Sequence, residues 1–324
     1  MGWAFNSRAR RGHPPDEIAR SLNWLDRNTR DIGDLTQPAV VRAVLDALTR
    51  KADGTTAAPG SIQRHRGVVV NLAEYAVERR LLTRNPITSL AWKAPRTVTT
   101  VDRRVVVNPV QARALLAAVA EEKPSGRRLV AFFAVMYFSA LRPGEATMLR
   151  KSNLLLPAEG WGELLLEASN PESGASWTDS GLRREERQLK HRARGETRVV
   201  PSPPELKMLL HAHLAAFGTG PEGLLFRAVR GGVLAESTYS RVWRKARVAA
   251  LTPDEDASPL ARRPYDLRHA AVSTWLNAGV PSTQVAEWAG HSVAVLLQIY
   301  AKCIVGQEEA ARRRIEAALG SWDA

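Results

Sequence analysis

The sequence predicts a mainly α-helical protein with a small antiparallel β-sheet, built in two parts. Three observations carry that expectation. Apolar residues recur at helical spacing over most of the chain, short Leu- and Val-rich runs bounded by turn residues cluster in its middle, and 324 residues exceed the usual size of one compact domain.

The first part, residues 1–93, reads as a helical domain. "QPAVVRAVLDALTRK" puts Val41, Val44, Leu45 and Leu48 on one face, and "SIQRHRGVVVNLAEYAVERRLL" does the same with Val68, Leu72, Tyr75 and Ala76. Between them "KADGTTAAPG" is a loop by composition. Residues 94–107 lie in a proline-punctuated stretch with little helical periodicity and read as a linker. The second part, residues 108–324, opens with "NPVQARALLAAVAEE", an Asn-capped helix with Pro at its first position. "GRRLVAFFAVMYFSAL" is apolar enough for a central, buried helix. "NLLLP", "GELLLEAS" and "TRVVPSP" read as the strands of the sheet, and the stretch between the last two is long, polar and basic. Helices resume at "PPELKMLLHAHLAAF" and continue to a tail helix near the C-terminus.

A formal charge of +13 and a pI near 10.5 point to a polyanionic partner, nucleic acid first, because Lys and Arg that neutralise phosphates release condensed counterions. The single cysteine, Cys303, excludes an intramolecular disulfide and a cysteine metal cluster. It is expected as a packed thiol, and His211 and His213 of "HAH", which lack zinc-ligand spacing, as helix-surface residues. No signal-peptide core and no apolar stretch of membrane length is present, so a soluble, cytoplasmic protein with no membrane association is expected.

Four short stretches carry the chemistry. In "SALRPGEATMLR", Pro143 disfavours helical backbone at Arg142 and itself suits the first helical position, so Arg142 stands at a helix entrance with Glu145 in the first turn, placed to favour the helix dipole and able to pair with the arginine. In "RRPYDLRHAAVSTWLNAG", Tyr265 and Arg268 share one helix face, while Val272, Trp275 and Leu276 form an apolar stripe. "STQVAEWAG" is a short helix stopped by Gly290, after which His291 opens the next turn. Tyr300 lies near the far end of "VAVLLQIYAK". Singly, each has an ordinary structural explanation.

In this order and spacing, "LRPGE", "YDLRH", "AGH" and "QIY" resemble the tyrosine recombinase (phage integrase) family, whose pattern is an Arg in LRxxE, then HxLRH, then GH, then Tyr nine residues on. The match covers most of residues 108–302, with Tyr265 standing where the family usually has the first His of HxLRH. The resemblance implies a helical core-binding domain over 1–93 and an α+β catalytic domain over 108–324. It implies a site-specific DNA recombinase, or integrase, that cleaves and rejoins DNA by transesterification through a 3′-phosphotyrosine, for integration or excision of a mobile element.

In that reading Tyr300 is the nucleophile and Arg142 and Arg268 hold the phosphate. His291 adds a hydrogen bond or handles the tyrosine proton, Tyr265 orients the phosphate without supplying a cation, and His269 packs behind. Lys190 of "RQLKHRARGETRVVP" is the best counterpart of the family's hairpin lysine that protonates the leaving 5′ oxygen, with plain surface charge as its alternative and Arg192 and Arg194 as competitors for the phosphate backbone. No metal or other cofactor is implied. The implied partners are double-stranded DNA attachment sites, a homotetramer assembled on DNA and a directionality factor. The tail helix in "GQEEAARRRIEAALG" would dock on a neighbouring protomer or pack on its own domain. By charge alone, Arg64 and Arg66 on one part and Arg241, Arg244 and Lys245 on the other are candidate DNA-backbone contacts.

Three other readings stand beside this one. A helix-turn-helix regulator would need a polar recognition helix, whereas Val293, Val295, Leu296, Leu297 and Ile299 make the last helix of the motif apolar. A non-catalytic DNA binder on the same fold is motivated by Tyr265. A type IB topoisomerase would share the phosphotyrosine chemistry and relax any supercoiled plasmid.

Overall fold

The structure, a computed structural model, describes Trp3 and residues 12–96, 100–169, 174–175, 178, 181–182, 185–189, 195–304 and 308–319. The chain divides into two compact units, Met1–Val98 and Thr99–Ala324.

The first unit is helical: α1 (Asp16–Asn28), a 3-10 turn (Ile32–Thr36), α2 (Pro38–Ala47), α3 (Pro59–Glu78) and α4 (Pro86–Ser89). Three of these helices begin on a proline, whose missing N–H would have found no intrahelical partner there. Val41 and Leu45 of α2 are buried against Ala73 and Ile87, as the periodicity of α2 requires. The expected face of α3 is corrected. Ile62, Ala73 and Ala76 are buried, whereas Val68, Leu72 and Tyr75 are more than half exposed. This helix carries two apolar stripes, and periodicity cannot choose between them. The slimmer stripe turns inward because alanines let neighbouring elements pack closely.

The second unit begins with α5 (Pro109–Glu121), α6 (Gly126–Phe138) and α7 (Pro143–Ala146). Strands β1 (Leu154–Leu155), β2 (Gly162–Leu166), β3 (Ala168–Ser169), β4 (Arg187–Gln188) and β5 (Arg198–Ser202) follow. The unit closes with α8 (Pro204–Phe217), α9 (Glu236–Ala250), α10 (Pro253–Ala257), α11 (Asp266–Asn277), α12 (Ser282–Ala289), α13 (Val293–Tyr300) and α14 (Glu308–Leu319). The three expected strands form one antiparallel sheet in the order β1-β2-β5, with Leu164 opposite Val200 and Leu166 opposite Arg198. β3 and β4 pair separately as a two-residue ladder that was not expected.

α6 is buried on almost every side, as its composition predicts. Phe133 meets Trp243 of α9 with ring centroids 4.8 Å apart, and Phe132 meets Phe226 at 5.5 Å. Such pairs add specificity to burial that already contributes roughly 1.5–3 kcal/mol per large apolar side chain. His213 is corrected from surface to core. It continues the Leu206 and Leu210 stripe of α8, packs on Phe217 and Phe226, and its Nε2 lies 3.0 Å from the Leu225 carbonyl oxygen.

A second, smaller core joins α11, α12 and α13 through Val272, Leu276, Val285, Ala289, Leu296 and Tyr300. Within the stretch read as a linker, Val101 belongs to this core and donates its N–H to the Ile299 carbonyl at 2.8 Å, and Val107 is buried in the larger one. No described helix is long and apolar enough to cross a membrane.

Candidate active site

Arg142 occupies the entrance of α7 in extended backbone, as the following proline dictates. Its backbone N–H donates to Glu145 Oε2 at 2.8 Å and its Nη1 to Oε1 at 2.7 Å. Arg198 reaches the same carboxylate from the inward face of β5, Nη1 to Oε1 at 3.0 Å and Nη2 to Oε2 at 2.7 Å. Burial by itself would raise the Glu145 carboxyl, but Arg198 and Arg142 hold it down at about 2. One carboxylate between two guanidiniums leaves a net positive charge. Sequence reasoning missed Arg198. Its signal was an arginine in phase with Val200 and Ser202 on the buried side of a strand, where a charge requires an acidic partner.

Arg268, in the first turn of α11, has no exposed surface. Its Nη1 donates to the Ala140 carbonyl, and its Nη2 donates to the Ala289 carbonyl and lies 3.0 Å from His291 Nε2. Ala140 has φ +51°, a costly conformation for a residue with a Cβ, where the chain turns from α6 toward α7. Burial first, then the nearby Arg142, lowers Arg268 to about 10 against the opposing pull of Glu145, so it stays cationic at neutral pH.

Arg142 Nη2 donates to the Gly290 carbonyl at 2.9 Å, next to the Ala289 carbonyl that receives Arg268. The two arginines therefore converge on one turn. That turn is the left-handed end of α12: Gly290 has φ +64°, and the His291 N–H returns to the Ala286 carbonyl at 2.9 Å. A Cβ on Gly290 would collide with Arg198 Nη1 and press on Arg142 Nη1. Gly290→Ala is expected to cost about 1–3 kcal/mol in urea unfolding. A loss below about 0.5 kcal/mol would mean that the turn does not need its glycine.

Tyr300, at the end of α13, is fully buried. Its hydroxyl lies 2.8 Å from His269 Nδ1, and its ring is tilted 30° to that of His291, 6.2 Å between centroids. Burial pushes the phenol well above its ordinary value, with Arg268 opposing. Tyr265 is half-buried and edge-on to His269 at 5.1 Å; burial would lower Arg142, but Glu145, and after it Tyr265, raise it above its ordinary value.

Burial holds His269 down at about 4, helped by Arg268 and Arg263. It holds His291 down at about 3, helped by Arg268, Arg142 and Arg198. Both rings are neutral at pH 7. With Glu145 also depressed, the unfolded chain binds more protons than the folded one throughout the acid range. These groups therefore contribute stability in full above about pH 6.5, and it is lost as pH falls through 4, 3 and 2. The melting temperature is expected to fall steadily from pH 7 to pH 4, with a shallower slope for His269→Gln. An unchanged slope in that variant would count against the burial of a neutral ring.

The structure thus brings together Arg142, Arg268, His291, Tyr300 and Tyr265, and adds Glu145, Arg198 and His269. Lys190 lies outside the described residues. Arg64 is exposed on α3, while Arg66 is half-buried and its Nε has no partner among the described residues. Arg241, Arg244 and Lys245 are exposed on α9, and Lys245 pairs with Glu122 at 3.3 Å.

A largely helical unit that gathers three arginines, two histidines and two tyrosines, with one buried carboxylate shared by Arg142 and Arg198, defines a class of cationic, phenol-bearing centre. Residues 106–304 match the phage integrase family, and the chain belongs to that family. It is 29% identical over 227 residues to tyrosine recombinase XerC of Mesorhizobium japonicum. That match spans 69% of this chain and 62% of the relative, so the chain covers about three fifths of that relative's length. Among solved structures, the Tn1549 transposon integrase in complex with transposon right end DNA superposes with a TM-score of 0.65 at 14% identity, covering 96% of each chain. A lambda integrase dimer bound to a COC′ core site superposes with a TM-score of 0.55 at 15% identity, covering 98% of this chain and 94% of that one. At these identities the structural likeness concerns the fold.

Proposed function

We propose that the protein is a site-specific DNA recombinase, an integrase that cleaves and rejoins double-stranded DNA at attachment sites through a 3′-phosphotyrosine at Tyr300. The observation that carries this reading is the convergence of Arg142, Arg268, His291 and Tyr300, from four separated segments, on the turn at residues 289–291. Membership of the family and the DNA complexes of its structural neighbours support it.

Tyr300 Oη attacks the scissile phosphorus in line and the 5′ oxygen leaves, so the phosphoester is conserved for resealing. The five-coordinate transition state gathers charge on its non-bridging oxygens, which the two guanidiniums neutralise. Each such preorganised donor commonly supplies roughly 10²–10³ in rate. Arg268 and Tyr300 have no exposed surface, so their contact with DNA would require a rearrangement around them. By sequence, Lys190 remains the candidate general acid.

Integration or excision of a mobile element is the biological setting we propose, with a homotetramer on DNA and a directionality factor as partners. α14 leaves Ile315 and Leu319 exposed, apolar surface that a neighbouring protomer would cover. Arg64, Arg66, Arg241, Arg244 and Lys245 are proposed backbone contacts. Each exposed one removed should lower the salt slope of DNA binding by about one.

The test is capture from a pool of nicked duplexes with randomised central sequence. SDS-resistant adducts are isolated, their DNA sequenced and the modified peptide mapped by mass spectrometry. A shared crossover sequence attached through Tyr300 is expected. Attachment through another residue, or no adduct at all, would overturn the reading, and relaxation of any supercoiled plasmid without a preferred site would assign a type IB topoisomerase instead.

A further inference from the structure

The nucleophile proposed above must lose a proton, and its phenol is raised, not lowered, by its surroundings. Three side chains stand near enough to matter. Tyr265 occupies the place where the family pattern has a histidine, and a phenolic hydroxyl is a far weaker proton acceptor than an imidazole nitrogen. His291 presents its Nε2 to Arg268 Nη2 at 3.0 Å. Arg268 is an obligate donor, so the acceptor nitrogen of a neutral His291 is already engaged and its proton sits on Nδ1, which has no partner among the described residues. Its ring moreover lies beside the Tyr300 ring, 6.2 Å between centroids and tilted 30° to it. His269 is different. Its Nδ1 is 2.8 Å from Tyr300 Oη, within the 2.6–3.2 Å expected of a proton-transfer pair.

The direction of that bond follows from the surroundings of His269. The titratable and charged groups acting on it are Tyr300 from α13, Arg268 from its own helix, Tyr265 at that helix's N-cap, and Arg263 from the turn before it. None is an anion that would favour imidazolium, so the ring is neutral and the phenol is the donor. This pairing also explains the sequence pattern. His269 immediately follows Arg268, so α11 aims consecutive residues at different tasks: the guanidinium reaches the turn at 289–291, and the imidazole reaches the hydroxyl at the end of α13.

We propose that His269 is the general base for the Tyr300 attack, an inference that rests on the recombinase reading. As Tyr300 Oη forms its bond to phosphorus, the O–H bond breaks and its proton passes to His269 Nδ1. The bond from phosphorus to the 5′ oxygen breaks, its electron pair stays on that oxygen, and a general acid protonates it. In resealing, imidazolium returns the proton to the departing phenolate and becomes neutral again. His269 thus touches a reacting atom and is a catalytic residue by that criterion.

The test uses the full chain and single-turnover cleavage of a duplex recovered in the capture experiment, with saturating protein. His269→Ala is expected to bind DNA with affinity within about threefold of the parent and to form adduct about 10²–10³-fold more slowly at pH 7. Its rate should rise about tenfold per pH unit from 6.5 to 9, because hydroxide must now deprotonate the phenol, while the parent is flat over that window. His269→Gln, which can accept a hydrogen bond but not hold a proton, should be as slow as His269→Ala. A duplex with sulfur in place of the bridging 5′ oxygen, a leaving group that needs no acid, should leave the deficit unrepaired.

The proposal is overturned if His269→Ala cleaves within threefold of the parent, or if it is slow but keeps the parent's flat profile. It is equally overturned if His269→Gln restores the rate, since the residue then only holds Tyr300 in place, or if the sulfur-bridged duplex erases the deficit, since it then serves the leaving group. A parent protein that forms no adduct on any duplex overturns the recombinase reading instead, and the two failures are separate.

Discussion

Tyr300→Phe is expected to form no SDS-resistant adduct on any duplex that traps the parent, while binding that duplex with unchanged affinity and unfolding within about 1 kcal/mol of it. The two halves of the result have different origins. The Tyr300 ring is a member of the smaller core, packed with Leu296 and Ala289, and phenylalanine fills the same space. Among the described residues the hydroxyl makes one bond, to His269 Nδ1 at 2.8 Å, and a net hydrogen bond is worth about 1 kcal/mol. Chemistry has no such reserve, because the neighbouring thiol of Cys303 is itself buried and raised by that burial. Gel analysis of trapped adduct and urea unfolding are measured on the same preparation. Adduct that survives the substitution would remove Tyr300 from the reaction, and a loss of several kcal/mol would mean that the hydroxyl is principally structural.

Glu145→Ala is expected to be the most destabilising single change at the site, by about 3–5 kcal/mol, since it leaves the almost fully buried Arg198 without its counter-ion. It should also slow adduct formation roughly 10²-fold, because Arg142 loses the carboxylate that fixes its Nη1 and backbone N–H. A double substitution separates the two effects. Glu145→Ala with Arg198→Met replaces the buried pair by apolar groups and should recover most of the stability. Cleavage should stay slow, since Arg142 still lacks its anchor. If the double variant is no more stable than Glu145→Ala, the uncompensated Arg198 charge is not the source of the loss. If it cleaves at the parent's rate, Glu145 does not orient Arg142.

Much of the fold was legible because it rests on local rules. Pro143 set the backbone at Arg142, Gly290 ended α12 so that His291 opens the next turn, Asn108 capped α5, and the three Leu- and Val-rich runs became β1, β2 and β5. What escaped was whatever depended on the other side of a contact. α3 offered two apolar stripes and only its neighbours could choose one. His213 resembled a surface histidine until the Leu225 carbonyl and two phenylalanine rings were placed around it. β3 and β4 are two residues each, too short for any alternation to show.

The site divides along the same line. The residue types and spacings of "LRPGE", "YDLRH", "AGH" and "QIY" are properties of the chain, and by themselves they determined the family and named Arg142, Arg268, His291 and Tyr300 as a set. Only the tertiary structure decided that Arg198 shares Glu145 with Arg142, and that of two histidines His269 takes the tyrosine hydroxyl while His291 faces Arg268. The physical reason is range. A proline or glycine acts on its own backbone, whereas a buried charge or a hydrogen bond is satisfied by whichever group folding brings within about 3 Å, from 53 residues away for Arg198 and 31 for His269.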